Sequence, residues 1–179
     1  DQSVYVFPSP HRYYLRSPES PRERAARFDL IVRIQAHGLA ARLQAANTQT
    51  AVIGVSGGLD STLALLVAYE AAHILQKDVA TYITALTMPG SASSARTQNN
   101  ATQLAKILGI TSVVIPIESI VSAEQAALTH DGNQDTTYEN IQARARTALL
   151  FNYANSHGGL VVGTGDLSEL ALGWCTYGG

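Results

Sequence analysis

Residues 51–66, AVIGVSGGLDSTLALL, decide how the rest of the chain is read. Ala51–Val55 is an apolar run of strand length, Ser56-Gly57-Gly58 is a turn of small residues, and an aliphatic helix is expected from about Ser61 to Gln76. A loop of small residues between strand and helix leaves backbone N–H groups uncrowded, and the helix start adds the positive end of its dipole. Such a place binds phosphate. Two familiar phosphate patterns are missing: no lysine follows the turn as GxxxxGK[ST] requires, and no GxGxxG follows a strand. Instead Ser56 and Ser61 can donate hydroxyls, Gly57 and Gly58 permit close approach, and Asp60 brings a carboxylate. A carboxylate beside a polyphosphate is repulsive unless a divalent ion lies between them, and Mg2+ takes one or two carboxylates together with phosphate oxygens. Asp60 therefore implies magnesium. The plainer alternative is a βα turn made by Gly57-Gly58, with Asp60 or Ser61 capping the helix.

The chain around this stretch has 179 residues, the length of one domain with a sizeable core. Hydrophobic residues form 46% of it and charged residues 15%, a balance that argues for a packed globule rather than disorder. With a net charge of −2 and no run of five like charges, nothing asks for a nucleic-acid or membrane partner, and small substrates fit better. The lone Cys175 excludes an internal disulfide, fits a reducing, cytoplasmic setting and reads as a small core hydrophobe. His11, His37, His73, His130 and His157 show no ligand spacing, and no signal peptide or stretch of membrane-spanning length occurs.

Proline-rich residues 1–21 read as an extended arm or linker, with the domain expected over 22–179. Helices are expected over Arg22–Ala46, Thr97–Leu108, Ser119–Leu128, Tyr138–Ser156 and from Asp166 through Leu172. Strands are expected over Tyr82–Met88, Ser112–Pro116 and Leu160–Gly163. Strand and helix thus alternate four times, and the strands are near-continuous apolar runs. The fold class is α/β, a doubly wound parallel sheet with helices on both faces. In such sheets ligands bind beyond the carboxyl ends of the strands, where strand order reverses, which gathers the loops after Val55, Met88 and Gly163 on one edge.

SGGLDS, residues 56–61, resembles the pyrophosphate loop of the ATP pyrophosphatase superfamily, whose fold is adenine nucleotide alpha hydrolase-like. Three further stretches narrow the likeness. TMPGSASSART at 87–97, TYENIQARAR at 137–146 and GLVVGTGDLSELALGWCTY at 159–177 resemble NAD synthetase, above all the synthetase domain of its glutamine-dependent members. The resemblance implies that Gly54, Val55, Ser56, Gly57, Gly58, Leu59, Asp60 and Ser61 wrap the phosphates of ATP, that Thr164 also meets ATP, and that Met88 packs on adenine. It assigns magnesium to Asp60 and Glu169, facing each other across the cleft, with Glu169 also at the substrate end. Asn140, Trp174, Cys175, Thr176 and Tyr177 match contacts to nicotinic acid adenine dinucleotide, and Arg144 matches an arginine near the nucleotide and the reacting carboxylate.

Plainer roles stand beside these. Asn140 and Arg144, spaced i, i+4, suit a solvated helix face; Trp174 and Tyr177 suit a core or an interface; Glu169 suits the first turn of a helix. The chain also departs from the family pattern, with small Ser91-Ala92 and Ser94-Ala95 where bulkier, more acidic residues are usual, and Gly178 in place of an asparagine. The family continues past the position of Gly179 with an active-site aspartate and, further on, a lysine, so a fragment is expected.

The reaction implied is ATP-dependent amidation of nicotinic acid adenine dinucleotide to NAD+ through an adenylated carboxylate, releasing AMP and pyrophosphate. Ammonia, free or from a glutaminase domain on the same native chain, is the nitrogen donor, and a homodimer is implied by the same resemblance. Two other readings compete: another adenylating ligase of the superfamily, and a catalytically silent nucleotide-binding or dimerising fragment. A tRNA-modifying ligase would want a basic face and usually a cysteine pair, against one Cys and mild acidity here.

Overall fold

A computed structural model describes residues 20–91, 93 and 95–173. The arm expected over 1–21 therefore lies outside the described residues as far as residue 19, and so does the segment 174–179. The elements are α1 (Pro21–Ala45), β1 (Thr50–Gly54), α2 (Leu59–Ile74), α3 (Val79–Tyr82), β2 (Ile83–Thr87), α4 (Ala95–Leu108), β3 (Thr111–Val114), α5 (Glu118–Ala127), α6 (Thr136–Ser156), β4 (Gly159–Val161) and α7 (Leu167–Leu172). Pro21 opens α1 at a position where its missing N–H costs nothing, and Ser20 with Glu23 completes a reciprocal capping box.

The four strands pair in parallel in the order β3-β2-β1-β4. The chain steps outward from β1 to β2 to β3, then crosses back to the far side of β1 to lay down β4. Strand order reverses between β1 and β4, so the switch point falls where the Ser-Gly-Gly turn leaves the sheet.

Successive strand residues face opposite ways, and the core divides accordingly. Ala51, Ile53 and Val55 pack with Leu43 of α1, Leu65 and Ala68 of α2 and Ala101 and Ala105 of α4. On the other face Val52 and Leu86 pack with Leu150, Tyr153 and Ala154 of α6, while Val121 of α5 joins Ile141 and Ala145 of α6 in an adjoining cluster. Helices cover both faces, as the doubly wound reading requires.

Several expectations need correction. The second helix begins at Leu59 rather than near Ser61, because Gly58, in extended conformation, serves as its N-cap. The one-turn helix α3 was not foreseen, although Asp78 signals it by accepting a hydrogen bond from the Ala80 N–H. Strands β1 and β2 are buried runs, but β3 is an edge strand with Thr111, Ser112 and Val114 exposed. Its apolar residues could not reveal that, since edge position is set by topology. Among the described residues no helix is long and apolar enough to cross a membrane.

Candidate functional site

The turn that opened the sequence reading is held by its own side chains. The Val55 N–H donates to Leu86 O, the last rung between β1 and β2, and the backbone then bends away. Ser56 Oγ accepts from the Gly58 N–H at 3.2 Å and pairs with Ser61 Oγ at 3.2 Å. Ser61 Oγ also accepts from the Ser56 N–H and donates to Gly58 O. Ser61 is only 4% exposed, so its hydroxyl is engaged in shaping the bend. Gly58 offers no side-chain acceptor at the start of α2, which leaves the first-turn N–H groups of a sixteen-residue helix to a ligand. Gly57 has φ +83°, the left-handed region.

Two hollows open at this edge, one on each side of the segment that joins β4 to α7. The first, about 440 Å³, runs from Gly54 along Arg146, Thr147 and Leu150 of α6 to Thr164 and Glu169. The second, about 590 Å³, lies between α1 and α2 and is lined by Gln35, Leu39, Asp60, Leu63 and Asp166. Residues 162–166 and Leu170 border both.

Thr164 therefore stands where both hollows meet, and Gly54 lies at the floor of the first. A Cβ on Gly54 would contact Leu150 at 3.4 Å and Met88 at 3.5 Å, so Met88 backs this floor from a half-buried position between two core clusters. Val55 is 2% exposed and can offer a ligand only its backbone, whereas Leu59 is 86% exposed. Asp60 lines the second hollow and Glu169 the first, with the 162–166 segment as their shared border rather than an open cleft between them. Glu169 is also drawn into its own helix start: its Oε2 accepts from the Asp166 N–H at 2.9 Å, and its N–H donates to Asp166 Oδ1 at 3.0 Å.

Asn140 is half-buried and Arg144 exposed on α6, and neither lines these two hollows. They share a helix face with Phe151, which does line the first hollow, because positions four and seven apart stack along a helix. Trp174, Cys175, Thr176 and Tyr177 lie outside the described residues, as do Ala92 and Ser94 of the departing loop. Ser91 in that loop is exposed, and its hydroxyl pairs with the Tyr138 hydroxyl on α6.

One site residue escaped the sequence reading. Arg146, half-buried, is the one cation among the described residues lining the two hollows, against the carboxylates of Asp60, Asp166 and Glu169. Burial lowers its pKa, and the charge of Glu118 opposes that shift. One residue, Ala145, separates it from Arg144, and the sequence alone does not say which arginine of RAR turns inward.

The family described as NAD synthase matches residues 31–179. The chain belongs to the NAD synthase family. It is 47% identical over 150 residues to the glutamine-dependent NAD(+) synthetase of Mycobacterium leprae, a match that covers 81% of this chain and 22% of that protein. It is 39% identical over 139 residues to the NH(3)-dependent NAD(+) synthetase of Staphylothermus marinus, covering 76% of this chain and 48% of the relative. Among solved structures, the glutamine-dependent NAD+ synthetase of Acinetobacter baumannii in complex with adenosine diphosphate superposes with a TM-score of 0.76 at 33% identity, over 84% of this chain and 28% of that one. The chain thus spans about a fifth of the length of the glutamine-dependent relatives it matches. Within the NAD synthase fold, the Ser56–Ser61 bend and the segment 162–169 occupy the sheet edge where strand order reverses.

Proposed function

We propose that this chain carries the ATP-handling part of an NAD+ synthetase, which converts nicotinic acid adenine dinucleotide to NAD+ by adenylating its carboxylate and letting ammonia displace AMP. The observation that carries the reading is the uncapped start of α2 at the sheet's switch point, next to a hollow that reaches from Gly54 to Thr164 and Glu169. Relatives named for glutamine and for ammonia as nitrogen source both match, so the donor is ammonia in either case, delivered free or by a glutaminase domain on the native chain.

Forming an amide from a carboxylate requires a better leaving group than oxide. Attack of the substrate carboxylate on the α-phosphorus of ATP forms the new P–O bond and expels pyrophosphate; ammonia then attacks the acyl carbon and AMP leaves with the electron pair. The N–H groups of Gly57 and of Leu59 to Ser61 face the β- and γ-phosphates and stabilise the charge that grows on the departing pyrophosphate more than they stabilise bound ATP. Thr164 meets the nucleotide, and Met88 backs the floor at Gly54. Asn140 and Arg144, with Trp174 to Tyr177, hold the dinucleotide and its carboxylate. Alignment and charge do the work, since no side chain is covalently modified.

Magnesium fits the donor set. Among the described residues three carboxylates border the two hollows against one guanidinium, and hard oxygen donors suit a hard cation. Mg2+ completes its shell with water and phosphate oxygens. Asp60 would hold it beside the start of α2, with Glu169, on the other side of residues 162–166, joining through water, and when bound it would neutralise the polyphosphate. A second copy is the partner of this reading. Phe28, Leu30, Ile31 and Ile34 of α1 are exposed apolar surface that such a copy would cover.

Calorimetry with Mg·ATP and nicotinic acid adenine dinucleotide, followed by an assay for AMP and NAD+ with ammonium present, tests the reading. NAD+ and AMP in equal amounts support it. Binding without AMP identifies a nucleotide-binding module instead, and no binding removes the nucleotide site altogether.

A further inference from the structure

Where β1 bends away to form the phosphate loop, it leaves β2 with one carbonyl too many. The Val55 N–H takes Leu86 O, and on the opposite side β3 and its continuation take Thr87 O and Pro89 O through the Ile115 and Ile117 N–H groups. Met88 O points back toward the departed strand, and Arg146 of α6 fills the gap, its Nε–H donating at 3.1 Å. The same guanidinium presses on the following turn: a Cβ on buried Gly90 would lie 3.0 Å from Arg146 Nη2 and 2.8 Å from Gln142 Oε1. Met88 in turn stands 3.5 Å from where a Cβ on Gly54 would sit, at the floor of the hollow.

We propose that Arg146 is a positioning residue: by replacing the missing rung at Met88 O it fixes the Met88 side chain against Gly54, and so shapes the nucleoside end of the first hollow. The consequence for nucleotide affinity rests on the function proposed above; the contact with Met88 does not. A guanidinium suits the task because Nε is a donor in the plane of a rigid fork, so one group can hold the carbonyl while Nη2 sets the distance to Gly90. A lysine ammonium on a flexible stem fixes no such direction.

Met88 is the only methionine in the sequence, so its ε-methyl, labelled with carbon-13, reports the side chain's position by NMR without any ligand. The resonance is identified by its loss in Met88→Leu. Arg146→Ala moves it toward the shift of a solvent-exposed methionine. Arg146→Lys, which keeps the charge but loses the directed Nε–H, displaces it as well. Stability loss alone moves neither below the unfolding transition. An unchanged methyl resonance in Arg146→Ala overturns the proposal. Nucleotide titrations read the second half: Arg146→Ala weakens Mg·ATP by about tenfold, the size of one charge-assisted hydrogen bond, and leaves magnesium pyrophosphate binding unchanged. Equal loss of both ligands, or of neither, overturns the link to the nucleoside end. Failure of the wild-type chain to bind Mg·ATP refutes the proposed function instead, while the methyl resonance still decides the role of Arg146.

Discussion

A Cβ on Gly57 would lie 2.2 Å from the carbonyl oxygen of Thr97, in the first turn of α4. The glycine is thus required twice, once by its φ of +83° and once by the backbone that crosses over it. Gly57→Ala is expected to lower the unfolding free energy by at least about 1–2 kcal/mol, the left-handed backbone term alone, with the clash added. Gly58→Ala is the control: its φ is −87°, and the nearest contact would be 3.3 Å from the Ser56 hydroxyl, so stability should fall far less. Urea unfolding of both variants checks this, and equal losses would sink the argument from the Thr97 contact.

Thr87 closes β2 at 5% exposure, and its hydroxyl finds no partner among the described residues. An unpaired buried hydroxyl costs stability, whereas a methyl of the same shape does not. Thr87→Val, also β-branched, is expected to raise the unfolding free energy by about 1 kcal/mol. A lower urea midpoint would mean that the hydroxyl has a partner after all.

These two sites show what a sequence can and cannot carry. Small residues after an apolar run signal the bend at Ser56–Gly58 because glycine and serine are rare where a strand must continue. Fold class follows from the alternation of apolar strands with helical spacing, since each period buries one kind of surface. The exposure of β3, the unpaired hydroxyl of Thr87 and the inward turn of Arg146 are long-range facts. Each depends on which strand ends up beside which, and no local pattern encodes that. The family resemblance sets Asp60 and Glu169 face to face across one cleft; their separation by residues 162–166 is a property of how β4 feeds α7.

The start of α6 should respond to acid. Asp135 caps it by accepting from the Tyr138 N–H at 2.9 Å, and His130 Nε2 lies 3.1 Å from the same oxygen. The Tyr138 backbone bond, opposed by slight desolvation and helped by His130, holds the exposed Asp135 carboxyl below its ordinary 3.8. A depressed carboxylate pKa gives stability that is whole above the unfolded value and is lost as pH falls through the lower folded one. The stability gap between wild type and Asp135→Ala should therefore be constant above 3.8 and close in stronger acid. A gap that persists in strong acid would mean the cap acts without its charge.

Asp60 separates folding from chemistry. It stands exposed in the first turn of α2, where a negative charge gains only about 0.3–1 kcal/mol from the helix dipole, so Asp60→Ala should fold and lose no more than that. Its position on the rim of the second hollow, which Asp166 also lines, matters more to a ligand. Polyphosphate beside this acidic edge is repelled until a divalent cation intervenes. ATP affinity of the wild-type chain should therefore rise steeply with added Mg2+, and Asp60→Ala should flatten that rise and abolish AMP formation. Removing the carboxylate also removes the repulsion, so the variant's affinity for metal-free ATP should be equal to wild type or higher. If Mg2+ strengthens ATP binding equally in both proteins, the carboxylate does not hold the cation, and the assignment passes to Asp166 and Glu169.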